Sequence, residues 1–244
     1  MSMVINVVVK VNRFLVCMVL LVVAFGVAAY SYVARQNTVN VFSFAQTEGK
    51  TVIIDAGHGG EDGGAVAHDG TMEKNLNLDI ACRLKEICEL AGYTVYMTRE
   101  SDQSLSGESF NKNADMQARI RLAREHPDAI FISIHLNKFS IEKYNGAQVF
   151  YSGNNSQSIE LAQAIQSAIQ RNLQPQNNRQ IKSGDDNSVL LRVIDTPAVI
   201  VEGGFLSNQE ELAQLKTETY RSQLAYCIFL GMIQYQQSIG SDIL

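Results

Sequence analysis

At 244 residues the chain is long enough for one α/β domain of ordinary size plus a short targeting segment. A hydrophobic content of 46% with 18% charged residues excludes a disordered chain and an all-membrane one alike. A formal net charge of -5, with no run of Lys and Arg in the body, excludes a nucleic-acid binder resting on phosphate neutralisation.

The chain opens with a short flank carrying Lys10 and Arg13, followed by nearly unbroken apolar sequence from Phe14 to Tyr30. Ser31 is a mild break, after which Tyr32, Val33 and Ala34 extend the run. About 20 apolar residues as helix span a bilayer core. The positive charge ahead of the run places that end inside and the rest of the chain outside. An uncleaved anchor is favoured, because the run exceeds the ~7–15 residues of a signal-peptide core. A signal cleaved after Val27-Ala28-Ala29 is the competing reading, and both export the body. The expected organisation is a cytoplasmic flank at 1–13, a transmembrane or signal-anchor helix at 14–33, a tether at 34–50 and a catalytic domain at 51–240. The chain is then a single-pass protein of the cytoplasmic membrane with its catalytic domain on the extracytoplasmic side, or a secreted one if the signal is cleaved.

From Thr51 onward short apolar runs alternate with amphipathic ones, which predicts an α/β fold: a mostly parallel open sheet with helices on both faces. Strands are expected at Thr51–Asp55, Tyr93–Met97, Ala129–Ile134, Gly146–Tyr151 and Ala198–Val201. Helical spacing covers Met72–Leu90, Ala114–His126, Ser156–Leu173 and Tyr220–Gln236. Thr71 is the expected N-cap of the first of these, and Ser207 with Glu210 reads as a capping box further on. Gln174–Asn187 is a long polar loop. Cys82 and Cys88 share one predicted helix about 9 Å apart, beyond the reach of a disulfide. With no C-x-x-C pair, Cys17, Cys82, Cys88 and Cys227 offer no thiolate zinc site and read as small apolar residues.

Three apolar strands each end in a conspicuous polar residue. Val52-Ile53-Ile54-Asp55 runs into Ala56-Gly57-His58, Phe131-Ile132-Ser133-Ile134 delivers His135, and Ala198-Val199-Ile200-Val201 delivers Glu202. In an open parallel sheet the carboxyl ends of the strands lie along one edge, where ligands bind. These residues therefore converge although remote along the chain. The glycine-rich loop Gly57-His58-Gly59-Gly60-Glu61-Asp62-Gly63-Gly64 lets the backbone turn tightly around His58. Glu73, in the first turn of the next helix, faces the same edge. Two histidines and a carboxylate with an open fourth position form the ligand set of a catalytic zinc site, and Glu202 is the natural general base. Taken singly each has an ordinary explanation: a hydrogen-bonded structural histidine, a carboxylate complementing a helix dipole, a loop carboxylate. Their shared edge is what chance does not supply.

The chain here resembles a known family, the zinc-dependent N-acetylmuramoyl-L-alanine amidases. The motifs are Ile54-Asp55-Ala56-Gly57-His58-Gly59-Gly60, Glu73-Lys74-Asn75-Leu76, Thr98-Arg99, Phe131-Ile132-Ser133-Ile134-His135-Leu136-Asn137 and Val201-Glu202-Gly203-Gly204-Phe205-Leu206-Ser207-Asn208. They run in order over nearly all of residues 51 to 237. The resemblance implies that His58, Glu73 and His135 bind Zn2+, that Glu202 is catalytic, and that the substrate is the glycan-peptide of peptidoglycan. Gly63 departs from the proline often found there. The wording Thr98-Arg99-Glu100-Ser101-Asp102 and His135-Leu136-Asn137, with a single anchor and no wall-binding module, resembles the spore-germination branch. An activating protein partner is compatible with so short a domain. Two other functions stand beside this one: an exported zinc hydrolase acting on another amide or ester, and a non-catalytic wall-binding protein, against which the intact site residues argue.

Neighbouring polar residues have plainer expectations. Asp55 is read either as an orienting partner of His58 or as a loop cap. Arg99 and Arg192 are read as surface ion pairs ahead of substrate contacts, and His68 and His126 as solvated. Phosphate-binding readings fail on detail: Asp62 occupies the third glycine position of a dinucleotide fingerprint, and Phe44 the first of a P-loop.

Overall fold

The computed structural model describes residues 13–37, 49–107, 109–184 and 188–241. Residues 1–12 of the expected flank, most of the tether (38–48) and the tip of the polar loop (185–187) lie outside the described residues. Contacts divide the chain into two units, Met1–Phe42 and Ser43–Leu244.

In the first unit, helix α1 runs Arg13–Asn37. Its described side chains, among them Leu20, Leu21, Val22 and Phe25, are exposed. Among the described residues no helix is long and apolar enough to cross a membrane.

The second unit is a six-stranded sheet in the order β2-β1-β3-β6-β4-β5, from β1 (Thr51–Ala56), β2 (Thr94–Met97), β3 (Ile130–Asn137), β4 (Gln148–Tyr151), β5 (Lys182–Ser183) and β6 (Ala198–Phe205). Neighbours pair in parallel except β4 with β6. The helices are α2 (Glu73–Leu90), α3 (Lys112–Glu125), α4 (Gln157–Asn172), α5 (Val189–Val193), α6 (Gln209–Leu215) and α7 (Glu218–Ser241).

Side-chain alternation along the central strands explains both layers. Val52, Ile54, Ile130, Ile132, Ile134, Val199 and Val201 pack against Ile80 and Leu84 of α2, Leu161 and Ile165 of α4, and Leu224 and Ile228 of α7. The intervening Ile53, Phe131 and Ala198 pack against Ile120 and Ala123 of α3 and Leu190 and Leu191 of α5. Both faces are buried, so the strands read as continuous Val and Ile runs. The short β5 and α5 were not expected from the sequence, whereas α6 follows the capping signal read at Ser207 and Glu210.

Two caps differ from expectation. Met72, not Thr71, stands at the α2 N-cap without a side-chain hydrogen bond, and the Glu73 N–H donates instead to the Ala65 carbonyl at 2.9 Å. At α6 the Asn208 side chain caps the helix, accepting from Glu211 N at 3.0 Å. Ser207 is used elsewhere: its Oγ accepts from Phe139 N.

Candidate metal centre

β1, β3 and β6 are neighbours at the middle of the sheet, so their carboxyl ends meet without any long excursion of chain. His135 and Glu202 are register partners on β3 and β6. β1 ends at Ala56 and the chain enters the loop through Gly57. A Cβ on Gly57 would lie 2.7 Å from Nδ1 of His135 and closer still to the far side of its ring, so only glycine fits. His58 itself adopts φ 62, a left-handed conformation uncommon for a residue with a Cβ. Two contacts hold it there. Arg119 Nη2 donates to the His58 carbonyl at 3.0 Å, and Nδ1 of the ring meets Asp62 Oδ2 at 2.8 Å.

That turn aims Nε2 of His58 at Oε2 of Glu73, 3.2 Å away. Nδ1 of His135 meets the other oxygen, Oε1, at 3.1 Å. The two rings lie edge to face with centroids 4.9 Å apart. Glu73 is buried at the start of α2, where the backbone N–H groups of Ala65 and Leu136 donate to its carboxylate at 2.8 and 3.0 Å. One ligand atom from each of His58, Glu73 and His135 lies within 4.8 Å of the other two.

The electrostatics follow from this packing. Burial works against a charge on His58, but the hydrogen bond and charge of Glu73, then those of Asp62, push it up to about 9. Burial also opposes ionisation of Glu73, and the two imidazoles overcome it, holding the carboxyl well below the usual carboxylate range. Glu202 goes the other way. Burial pushes it up to about 7, with His135 and His58 pulling down and Glu73 pushing up. Its Oε2 is enclosed with no hydrogen-bond partner among the described residues. A buried carboxylate oxygen left unpaired in a polar crevice is costly unless a further group completes it. Two imidazoles, an ionised carboxylate and that open oxygen fit a divalent cation with its water.

The residues below the site form its frame. Asp55 is fully buried and accepts from Thr98 Oγ1 at 2.8 Å, from Ser133 Oγ and from Arg119 Nη1. Burial opposes its ionisation, but Arg119 and Ser133 keep its carboxyl low. Asp55 therefore anchors the frame, and it is Asp62 that orients His58, a role the sequence reading did not give it. Arg99 is 1% exposed and donates to the carbonyls of Ala56, Gly57, Lys74 and Ser101, so it is an internal clamp and not a surface ion pair. His68 is exposed. His126 is half-buried and stacks on Tyr96 at 3.8 Å between centroids.

A structural cluster of this kind would close on itself; here Glu202 leaves a proton acceptor open beside the donors. The fold and the site together define a hydrolase of α/β architecture with a candidate metal centre. The chain belongs to the N-acetylmuramoyl-L-alanine amidase family, whose model matches residues 52–234. It is 35% identical over 192 residues to the germination-specific N-acetylmuramoyl-L-alanine amidase of Bacillus subtilis (strain 168), covering 77% of this chain and 80% of that one. It is 32% identical over 193 residues to the probable cell wall amidase LytH of Staphylococcus epidermidis, covering 78% of this chain and 60% of the relative. Among solved structures, the CwlD amidase from Clostridioides difficile, in complex with the GerS lipoprotein, matches with TM-score 0.74 and 39% identity over 78% of this chain and 99% of that one. AmiC2 of Nostoc punctiforme, an N-acetylmuramoyl-L-alanine amidase, matches with TM-score 0.68 and 30% identity over 77% and 97%.

Proposed function

We propose that the chain hydrolyses the amide between the lactyl group of N-acetylmuramic acid and L-alanine in peptidoglycan, with His58, Glu73 and His135 holding zinc and Glu202 moving the proton. The observation that carries this is the gathering of three donor groups within 4.8 Å beside Glu202, whose buried Oε2 has no hydrogen-bond partner among the described residues. When bound, zinc supplies the Lewis acid that polarises the amide carbonyl and acidifies the attacking water. Nε2 of His58, Nδ1 of His135 and the Glu73 carboxylate would hold it. Asp62, on Nδ1 of His58, keeps that ring's other nitrogen free to face the site. Glu202 takes the water's proton at Oε2 as the C–O bond forms. It then passes that proton to the alanine nitrogen as the C–N bond breaks, and returns to its ionised state.

Similarity to the germination-specific amidase of Bacillus subtilis supports a role in modifying the spore cortex or in germination. The solved complex of the CwlD amidase with a lipoprotein supports an activating protein partner for this chain as well. The apolar run at 14–33, behind Lys10 and Arg13, supports a single membrane anchor with the body outside the cytoplasmic membrane, or secretion if the segment is cleaved. Digesting purified spore and vegetative peptidoglycan with the zinc-loaded protein, followed by mass spectrometry, tests the reaction. Stem peptides with a free N-terminal alanine are the expected product. Intact glycan-peptide, or cleavage at any other bond, would remove this function.

A further inference from the structure

We propose that Asn77 is a positioning residue for Glu73, kept in the core at the expense of stability; the inference rests on reading His58, Glu73 and His135 as a cation site. Asn77 follows Glu73 by one turn of α2, so the two share a helix face. It is 0% exposed. Positions of that face further along the helix, Ile80, Ala81 and Leu84, are apolar and equally buried. An amide there is the exception.

Its Nδ2 donates to Glu73 Oε1 at 3.2 Å and to the Gly57 carbonyl at 3.3 Å. Both partner atoms act as acceptors: Glu73 Oε1 already accepts from the Leu136 N–H, and the Gly57 carbonyl has no proton to give. The amide must therefore turn its nitrogen to both, which fixes where its oxygen goes. That oxygen, Oδ1, is buried with no hydrogen-bond partner among the described residues. An unpaired buried carbonyl destabilises a fold, and an apolar group of the same shape would not.

What the amide does that leucine cannot is tie Glu73 to the loop that carries His58. Oε1 of Glu73 also meets Nδ1 of His135, and Gly57 is the residue packed against the His135 ring. One side chain thus links the carboxylate to the backbone on which both imidazoles depend. Groups that orient metal ligands in this way contribute roughly 10–100-fold to metal affinity.

The test is Asn77→Leu in the full chain. With a chelator present, urea denaturation reads the stability of the metal-free fold. Competition against a chromophoric chelator reads zinc affinity, and the visible absorption of bound Co2+ reads ligand geometry. The expected result is an unchanged or raised urea midpoint, zinc binding about 10–100-fold weaker and an altered cobalt spectrum. Zinc affinity within twofold of the parent chain, or a lowered midpoint, makes Asn77 an ordinary structural residue and overturns the proposal. If the leucine variant does not fold, Asn77→Ala is read on affinity and cobalt spectrum, with the same loss expected and unchanged values refuting it. A parent chain that takes up no zinc would sink the cation site itself. A parent and variant that bind alike sink only the role of Asn77.

Discussion

Glu202→Gln separates the two consequences of burying a carboxyl beside a cation site, and the structure sets the size of one of them. In the metal-free protein burial pushes Glu202 from an ordinary 4.5 to about 7. At ~1.4 kcal/mol per pH unit that gap is worth about 3 kcal/mol against the ionised form. Below pH ~4.5 the carboxyl is protonated in both folded and unfolded chains and contributes no difference. As the pH rises toward 7 the unfolded chain gives up its proton while the folded one keeps it, so stability falls, and above 7 the loss is complete. Glutamine does not titrate. Urea denaturation of the chelated proteins should therefore show similar stabilities near pH 4.5 and a variant more stable by about 3 kcal/mol at pH 8, which is roughly 6–12 °C in Tm for a domain this size. Zinc should close that gap, because a nearby cation favours the ionised carboxyl. In the zinc-loaded protein the same substitution should lower turnover by roughly 10²–10⁴-fold with metal content retained. A stability difference that does not change with pH would refute the desolvated pocket, and full turnover would remove Glu202 from proton transfer.

Two further outcomes follow from the same geometry. His58 holds a proton up to about 9 between Glu73 and Asp62, and a metal must displace it, so zinc affinity should rise about tenfold per pH unit from 6.5 to 8.5. Competition titration across that range measures it, and a flat profile would contradict the raised proton affinity of His58. Gly57→Ala places a methyl group against the His135 ring, at a cost of ~1–3 kcal/mol if the ring must move. Zinc content after desalting should fall in that variant while circular dichroism stays that of the parent.

How much of this was legible in the sequence depends on the range over which each feature is set. The Val and Ile runs of β1, β3 and β6 announce strands buried on both faces, and the polar residue at each strand end announces the edge where His58, His135 and Glu202 gather. The helix that brings Glu73 to them is visible in its apolar spacing. What orients these groups was not visible. Asp62 reaches His58 only because the intervening turn is left-handed at His58, a backbone choice that a side chain ordinarily disfavours. The sequence reading offered the strand residue Asp55 instead, as an orienting partner or as a loop cap. Arg99 read as a surface ion pair and Arg119 drew no notice, since nothing local says that a guanidinium will find several backbone carbonyls in the interior. Asn77 lay between apolar positions and drew no notice. The caps at Met72 and Asn208 displaced Thr71 and Ser207 because tertiary partners, the Ala65 carbonyl and the Phe139 N–H, took priority over the local pattern. β5, with its two residues, is too short to carry any periodicity.

The account stands on one cation held jointly by His58, Glu73 and His135. X-ray absorption spectroscopy at the zinc edge, on the protein loaded with one equivalent and desalted, tests it most directly. The predicted spectrum has two imidazole nitrogens and carboxylate oxygen at ~2.0–2.2 Å with no sulfur shell, and the signal is lost in His135→Ala. Zinc that washes away from the parent chain, or a sulfur shell near ~2.3 Å, would contradict it.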